Sequence, residues 1–503
     1  MFDNLLLGFS ISLTIENLFY SLIGVTLGTV VGVLPGLGPG GTIAILLPLT
    51  IKLNVTSAII MLSGIYYGVA YGGTITSVLM NVPGEVSSVV TCIDGHQMAK
   101  KGRGGVALGI AAFGSFIAST IGIIGITIMA PPLAKVALSF GPVENAALMV
   151  SGLTLVTYLS SKSVIKSLTM AVVGLILGCI GLDPVTGAER FTFGTLMLLD
   201  GINIGPLAMG VYGVAEVLSM VEGGPEQEGF VKTPVKLKSL LPTRKDWKDS
   251  AGPIGRGSFL GFFLGIIPGG GAVLSSFLSY ALEKKISKHP ERFGTGTIEG
   301  VAGPESANNS GTAGAFIPLL TLGLPFNVVT ALILVAFMVH GVTPGPFILT
   351  KHPDIFWGVV TSMYIGNVML LILNIPLIGL FINILRIPYH TLAPLIALLC
   401  FVGAFAQSYN AMDVLLVVFF GFAGYLARKF DYDPAPLLLA YVVGPMFERA
   451  LRQALIISDG SPWIFLEKPI SASILSLAAL SLMLPLFKKA YTRFLGGQKQ
   501  SGK

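Results

Sequence analysis

Charge is scarce in this sequence: Asp, Glu, Lys and Arg make up 11% of it, against roughly 25% in soluble domains. Cysteine is scarcer still. Cys92, Cys179 and Cys400 stand alone, with no C-x-x-C pair and no His at ligand spacing, which argues against a disulfide framework or a metal centre. There is no G-x-x-x-x-G-K-[ST], H-E-x-x-H or G-x-S-x-G stretch. ATP-driven pumping by this chain and the commoner intramembrane hydrolases therefore lack their signatures, and neither an enzyme activity nor an organic cofactor is expected. No short basic, apolar, small-residue cleavage pattern precedes the apolar segments, so no removable signal peptide is expected. The net charge of +6 reads as basic residues placed relative to a membrane, and nucleic acid is not implied.

What the chain has in quantity is apolar surface. Apolar residues are 53% of it and the mean hydropathy is +0.81. The solvent for most of the chain is then lipid, and the fold class expected is an all-α polytopic membrane protein with about eleven to twelve transmembrane helices. The 63 glycines and 30 prolines divide into two kinds. Scattered glycines let membrane helices pack closely, whereas Gly-Pro clusters interrupt them.

Two such clusters resemble one another: GTVVGVLPGLGPGGTIAILLPLT (28–50) and GFFLGIIPGGGAVLSSFLSYALE (261–283). Gly32 matches Gly265, Pro35 matches Pro268, Gly36 matches Gly269 and Gly38 matches Gly271. Further on, in the same order, Gly73-Thr74 answers Gly311-Thr312, Pro83 answers Pro325, Asp183-Pro184 answers Asp433-Pro434, and Gly205-Pro206 answers Gly444-Pro445. The chain thus reads as a duplication: a first repeat over 1–220, a cytoplasmic linker over 221–253, a second repeat over 254–455, and a final transmembrane helix with a cytoplasmic tail over 456–503.

The basic residues set the orientation. Only Lys52 follows the first glycine cluster, but Lys284, Lys285, Lys288 and Arg292 follow the second; Lys100, Lys101 and Arg103 follow the Pro83 region, but only Lys351 follows the Pro325 region. Cytoplasmic loops collect Lys and Arg, so equivalent loops lie on opposite sides and the repeats are inverted. Parity then makes each glycine cluster a re-entrant hairpin or, alternatively, a broken crossing. The first hairpin spans 18–52 with its tip at Pro35–Gly41, and the second spans 254–283 with its tip at Pro268–Gly271. Crossings follow near 57–81, 104–130, 143–160, 167–183 and 196–220, and again near 301–339, 356–385, 390–407, 413–427 and 434–455, with a last helix over 471–487. The N-terminus, with no Lys or Arg in residues 1–51, is expected outside and the C-terminus inside.

A helix that starts after a glycine break offers unpaired N–H groups and the positive end of its dipole to an anion. The candidate donors are the backbone of Gly36, Gly38, Gly40, Gly41 and Thr42, and of Gly269, Gly270 and Gly271, with the Thr42, Ser275 and Ser276 hydroxyls assisting. Tight turns in closely packed helices are the structural alternative. A second constellation joins Tyr71-Gly-Gly-Thr-Ile-Thr-Ser77 and Asn81-Val-Pro-Gly-Glu85 to Pro304-Glu-Ser-Ala-Asn-Asn-Ser-Gly-Thr312 and Leu322-Gly-Leu-Pro-Phe-Asn327. Polar groups in apolar surroundings must bind one another, water or a ligand. Asn81, Asn308, Asn309, Ser310 and Thr312 are candidate substrate contacts. A carboxylate at membrane depth often marks an ion path, which singles out Glu305, with Asn308 and Asn309, for the coupling ion. Glu85 and Glu305 as helix caps are the alternative. Asp200 and Glu216 read as lying within an apolar helix and reaching the interface, Arg449 and Arg452 as pairing with Glu448, and the five histidines as mostly solvated loop residues.

The stretches GVLPGLGPGGTIAILLPLT, YGGTITSVLMNVPGE, DGHQMAKKGRGG, GVAGPESANNSGTAGAFIPLLTLGLP and HGVTPGP together resemble the large membrane subunit of the tripartite tricarboxylate transporter family. That resemblance implies secondary active uptake of a carboxylate, a tricarboxylate or another organic acid, across the bacterial inner membrane. It also implies a Na⁺ or H⁺ gradient as the driving force, a periplasmic solute-binding protein that delivers substrate, and a small membrane subunit of about four helices. A binding-protein-independent anion symporter or exchanger is the other function these features fit.

Overall fold

The structure, a computed structural model, describes residues 1–34, 38–159, 163–183, 185–223, 237–269, 271–384 and 389–480. The chain is built of helices, and among the described residues the only strands are the two-residue pair β1 (Gly181–Leu182) and β2 (Glu189–Arg190), antiparallel. The first glycine break separates α2 (Ile15–Val33) from α3 (Gly38–Thr50), and α4 (Val55–Met80) follows. The second separates α10 (Arg244–Ile266) from α11 (Gly271–Ile286), and α12 (Glu299–Gly314) follows. Between them lie α5 (Val89–Lys100), α6 (Gly104–Ala137), α7 (Pro142–Leu159), α8 (Val164–Gly178) and α9 (Ile204–Glu222). After α12 come α13 (Phe316–Leu322), α14 (Val328–Val339), α15 (Pro353–Asn374), α16 (Tyr389–Ser408), α17 (Ala411–Lys429), α18 (Ala435–Ile457) and α19 (Pro469–Leu480), with α1 (Phe2–Ser12) at the start of the chain.

Glycine spacing explains the closest packing. Gly24, Gly28 and Gly32 on α2 meet Gly64, Gly68 and Gly72 on α4: a Cβ at Gly28 would lie 2.5 Å from the Ile65 carbonyl oxygen, and one at Gly68 2.7 Å from that of Val25. In the later pair Gly257, Gly261 and Gly265 on α10 meet Gly303, Ala307 and Gly311 on α12, and a Cβ at Gly261 would lie 2.2 Å from the Ala307 oxygen. Residues four apart share a helix face, so each pair is a small-xxx-small seam along which the backbones touch. The α4 span is wholly buried in the protein, whereas α16 and α17 expose most of their apolar surface, Leu398, Val402, Phe419 and Phe422 included. That exposure suits lipid.

Among the described residues seven helices are long and apolar enough to cross a membrane: α2, α4, α6, α9, α15, residues Thr391–Ser408 of α16, and α17. The expected eleven to twelve crossings are not reached by such helices alone. The apolar helices α3, α8, α14 and the described part of α19 are shorter, while α10, α12 and α18 carry polar or charged side chains. Several boundaries also differ from expectation. α10 starts at Arg244, inside the stretch read as linker, because Thr243 and Asp246 form a capping box, each side chain bonding the other's backbone N–H, at 2.9 Å from Thr243 and 3.3 Å from Asp246. α12 runs unbroken through Pro304, so the helix break expected at that depth falls later, at Gly323–Asn327, and the crossing read over 301–339 is three helices. α9 begins at Ile204, which leaves Asp200 exposed ahead of it, whereas Glu216 lies within it and pairs with Arg428. His96 is not a solvated loop residue either: it is buried in α5 with Nδ1 3.1 Å from the Val78 carbonyl oxygen. The last helix is described from Pro469 to Leu480, and the remainder of the stretch read as 471–487 lies outside the described residues.

The first and second stretches are tied together at two loops. Asp94, buried in α5, accepts from the N–H groups of Gly294, Gly296 and Thr297 at 3.0, 2.7 and 2.9 Å and from the Tyr280 hydroxyl at 2.9 Å. His340, at the end of α14, has Nε2 3.1 Å from the Thr50 carbonyl oxygen.

Candidate functional site

On α12 the residues Glu305, Asn308, Asn309 and Thr312 recur at i, i+3, i+4 and i+7, so one helix face carries all four. This stripe turns toward α4, α5 and α6. Glu305, 1% exposed, accepts a hydrogen bond from the Thr74 hydroxyl on α4 at 2.7 Å and another from the Thr91 hydroxyl on α5. Asn308 donates through Nδ2 to Glu85 Oε1 at 2.8 Å, and Asn309 donates to Ser115 Oγ on α6 at 2.7 Å and to the Glu305 carbonyl at 3.0 Å. Glu85 is at once a turn-former and a member of the cluster, since it opens the 3₁₀ turn Val86–Ser88 with its N–H donating to Ser88 Oγ at 3.3 Å. Two carboxylates far apart in the sequence, Glu85 and Glu305, are thus joined through one helix stripe.

The stripe leaves acceptors unused. Among the described residues Asn308 Oδ1, Asn309 Oδ1 and Ser306 Oγ are buried without a hydrogen-bond partner, although a buried amide oxygen without a donor is costly. Two cavities of about 10 Å³ flank it, one bounded by Tyr67, Ser119, Asn309 and Asn367, the other by Tyr71, Thr74, Ser115 and Asn374. Each has room for about one water and is walled by enough polar groups to bind it.

The loop between α13 and α14 brings the glycine breaks to the same place. Gly269 donates its N–H to the Phe326 carbonyl at 3.4 Å, and a Cβ at Gly40 would lie 3.2 Å from the Val328 side chain. Asn327 caps α14 by accepting from Thr330 N–H at 2.9 Å and donates Nδ2 to the Tyr66 hydroxyl at 3.3 Å. Gly38 (φ +59°) and Gly271 (φ +39°) both hold the left-handed conformation that a side chain disfavours, and both face open space where a Cβ would be. Gly36 and Gly270 lie outside the described residues.

Other expected residues take different positions. The Thr42, Ser275 and Ser276 hydroxyls donate to carbonyls of their own helices, Gly38 at 2.7 Å, Gly271 at 2.6 Å and Ala272 at 3.0 Å. Thr312 does the same to Asn308 at 3.1 Å. Ser310 points away from the stripe and donates to the Ser258 carbonyl at 2.7 Å, sealing α12 against α10. Gly41 is buried beside Tyr212. Asn81 is exposed at the end of α4 with φ +59°, a conformation Asn tolerates better than most residues. Thr91 and Tyr66 were not singled out from the sequence, because nothing in their spacing separates them from ordinary helix residues; Thr74 and Asn327 stood inside the motifs already quoted.

Over residues 18–439 the sequence matches the Tripartite tricarboxylate transporter TctA family. The chain belongs to that family. Both glycine breaks and the whole Glu85–Glu305 cluster fall within the matched residues. Its relatives include the "Uncharacterized 52.8 kDa protein in TAR-I ttuC' 3'region" of Agrobacterium vitis, 49% identical over 486 residues that make up 97% of this chain and 96% of the relative. A second, the "Uncharacterized protein in TAR-II ttuC' 3'region" of the same organism, is 50% identical over 226 residues, 45% of this chain and 93% of the relative. No solved structure matches the chain. Membership of the family and the seven apolar helices make this a multi-pass membrane protein of a tripartite transport system, one that works with partner subunits.

Proposed function

We propose that the chain carries an organic carboxylate inward across the bacterial inner membrane, driven by a Na⁺ or H⁺ gradient. A periplasmic solute-binding protein hands over the substrate, and a small membrane subunit of about four helices completes the assembly. The observation that carries this reading is the buried stripe of α12, where Glu305 and Asn308 tie both carboxylates into one cluster beside the loop on which the two glycine breaks converge. Backbone N–H groups at the starts of α3 and α11 would hold the substrate carboxylates, with Gly38, Gly40, Gly269 and Gly271 allowing close approach. The two repeats are inverted, with the N-terminus outside and the C-terminus inside, as the swapped Lys and Arg loops require.

Magnitudes favour co-transport of a cation. A helix N-terminus stabilises an anion by about 0.3–1 kcal/mol, up to about 2 in partly buried geometry. Taking a carboxylate out of water costs several kcal/mol even after relaxation. Two helix starts leave a multiply charged anion under-neutralised, and Glu85 and Glu305 add negative charge. A cation offsets both, and the unpartnered oxygens of Asn308 and Asn309 are hard ligands that suit it.

The test is uptake of labelled citrate and succinate by cells expressing the chain with its partner proteins. Accumulation should collapse when the coupling gradient is dissipated and should be lost when the binding protein alone is deleted. Undiminished uptake without the binding protein would instead favour an autonomous symporter or exchanger, and indifference to both gradients would reject secondary coupling.

A further inference from the structure

At the far end of α18 one arginine differs from its neighbours. Glu448 receives Arg190 at 2.7 Å and Arg452 at 2.6 Å, and Arg452 also reaches Asp183 at 2.7 Å, so two arginines and two carboxylates form one ion-pair network. Arg449 follows Glu448 directly and so sits about 100° further round the helix. It has no ion-pair partner among the described residues, and it lines a cavity of about 260 Å³ between the start of α7 and the end of α18, with Phe140, Asn145, Met149, Met446 and Gln453. The sequence suggested that Arg449 and Arg452 share Glu448; in the structure Arg452 shares it with Arg190 instead.

Met149 belongs to a second, narrower cavity as well, which Gly152, Leu324, Pro325 and Phe326 bound on the inner side. A Cβ at Gly152 would lie 3.7 Å from the Phe326 ring and 3.8 Å from Pro268. The Phe326 carbonyl in turn receives the Gly269 N–H. Arg449, Met149, Phe326 and Gly269 therefore form one file from the end of α18 to the second glycine break.

The geometry points to an entry route for organic carboxylates: the cavity under Arg449 gathers the anion at the outer face, and Phe326 is the barrier between it and the break at Gly269. The inference rests on the carboxylate transport proposed above. An uncompensated guanidinium above walls of Phe140, Met149 and Met446 focuses its field into a low-dielectric cleft, which raises local anion concentration. It also offers planar paired donors that match a carboxylate. The inner cavity, about 10 Å³ and walled by apolar side chains, passes no carboxylate until Phe326 moves. Phe326 lies in the loop between α13 and α14, so a rotamer change there opens the way without breaking a helix.

Met149→Cys in the full-length protein, in membranes, places a thiol at the waist between the two cavities. Its reaction is followed with the anionic 2-sulfonatoethyl and the cationic 2-trimethylammonioethyl methanethiosulfonates, against the parent with its native Cys92, Cys179 and Cys400 as background. The anionic reagent should react faster than the cationic one. Adding Arg449→Gln should lower the anionic-to-cationic rate ratio by about tenfold, and Arg449→Lys should restore most of it. In uptake, Arg449→Gln should raise KM for citrate with kcat kept, and added salt should narrow the difference. Gln453→Cys, on the cavity rim, gives the same comparison if Met149→Cys does not reach the membrane. A rate ratio unaffected by Arg449, or a thiol neither reagent reaches, overturns the route even in a protein that transports normally. The expected ratio in a protein that takes up no carboxylate overturns the transport reading, and the role as an entry route with it.

Discussion

Gly261→Ala puts the α10–α12 seam to a quantitative test. The new methyl would stand 2.2 Å from the Ala307 carbonyl oxygen and 2.7 Å from its Cα, and both belong to backbone that cannot rotate away. Restoring a contact of about 3.2 Å requires the helices to part by about 1 Å, which forfeits a quarter to a half of the dispersion attraction of the pairs that line the seam. Overpacking of this kind costs about 1–3 kcal/mol, reduced by the roughly 0.5–1 kcal/mol that Ala gains over Gly inside a helix. The control is on the same helix. Gly255 has nothing within 4 Å of an added Cβ, so Gly255→Ala keeps the propensity gain without the clash. The two variants should differ by about 2 kcal/mol in opposite directions, read as thermal midpoints by fluorescence-detected size-exclusion chromatography. Gly261→Ala should also lower uptake, since moving α12 moves Glu305 and Asn308. Equal midpoints for the two variants would refute the seam.

Gly38→Ala and Gly269→Ala force a side chain into φ +59° and φ +71°, at about 1–2 kcal/mol each; both should still reach the membrane, and carboxylate uptake should fall more than expression does. Asp183 makes a prediction about pH. The Val185 and Thr186 N–H groups, and then the Arg452 guanidinium, hold its carboxyl well below the usual carboxylate range. A depressed folded pKa gives stability that is present above the unfolded value and lost as pH falls through the folded one. Asp183→Asn should therefore melt below the parent at pH 7, and the two should converge only below about pH 4, as thermal melts across pH will show. For the orientation, single cysteines at Asn54 and Thr350 should react with an impermeant thiol reagent from outside, while those at Gly102 and His289 should not; labelling of Asn54 and His289 from the same side rules out inversion.

The sequence carried the seams and the breaks most clearly, because both depend on glycine at fixed spacing. Gly32 and Gly265 were matched across the two stretches, and both prove to be backbone contacts, with Val69 and with Gly311. Burial of Glu305 was legible too, from a carboxylate inside an apolar run. Three other features were hidden by competing signals. The Thr243–Asp246 capping box was present as T-R-K-D, but the surrounding Lys and Arg read as solvated linker. Pro304 read as a break, yet it is an interior residue of α12, and the helix runs on through it to Gly314. The partners of Glu305 come from Thr74 and Thr91 on two other helices, and no spacing along one chain shows which distant hydroxyl a carboxylate meets.

Glu305→Gln keeps the size of the side chain and an acceptor for Thr74 or Thr91 but removes the charge and the titration, so it isolates the coupling role. The deciding measurement is citrate uptake into membrane vesicles containing the full assembly, with Na⁺ concentration and external pH varied independently for parent and variant. If Glu305 holds Na⁺, half-maximal uptake should need about tenfold more Na⁺ in the variant, as the loss of roughly 1.4 kcal/mol of ligand interaction implies. If Glu305 carries the proton, gradient-driven accumulation should disappear while citrate exchange persists. Uptake with the parent's dependence on both Na⁺ and pH would contradict the account and leave Glu305 a structural residue.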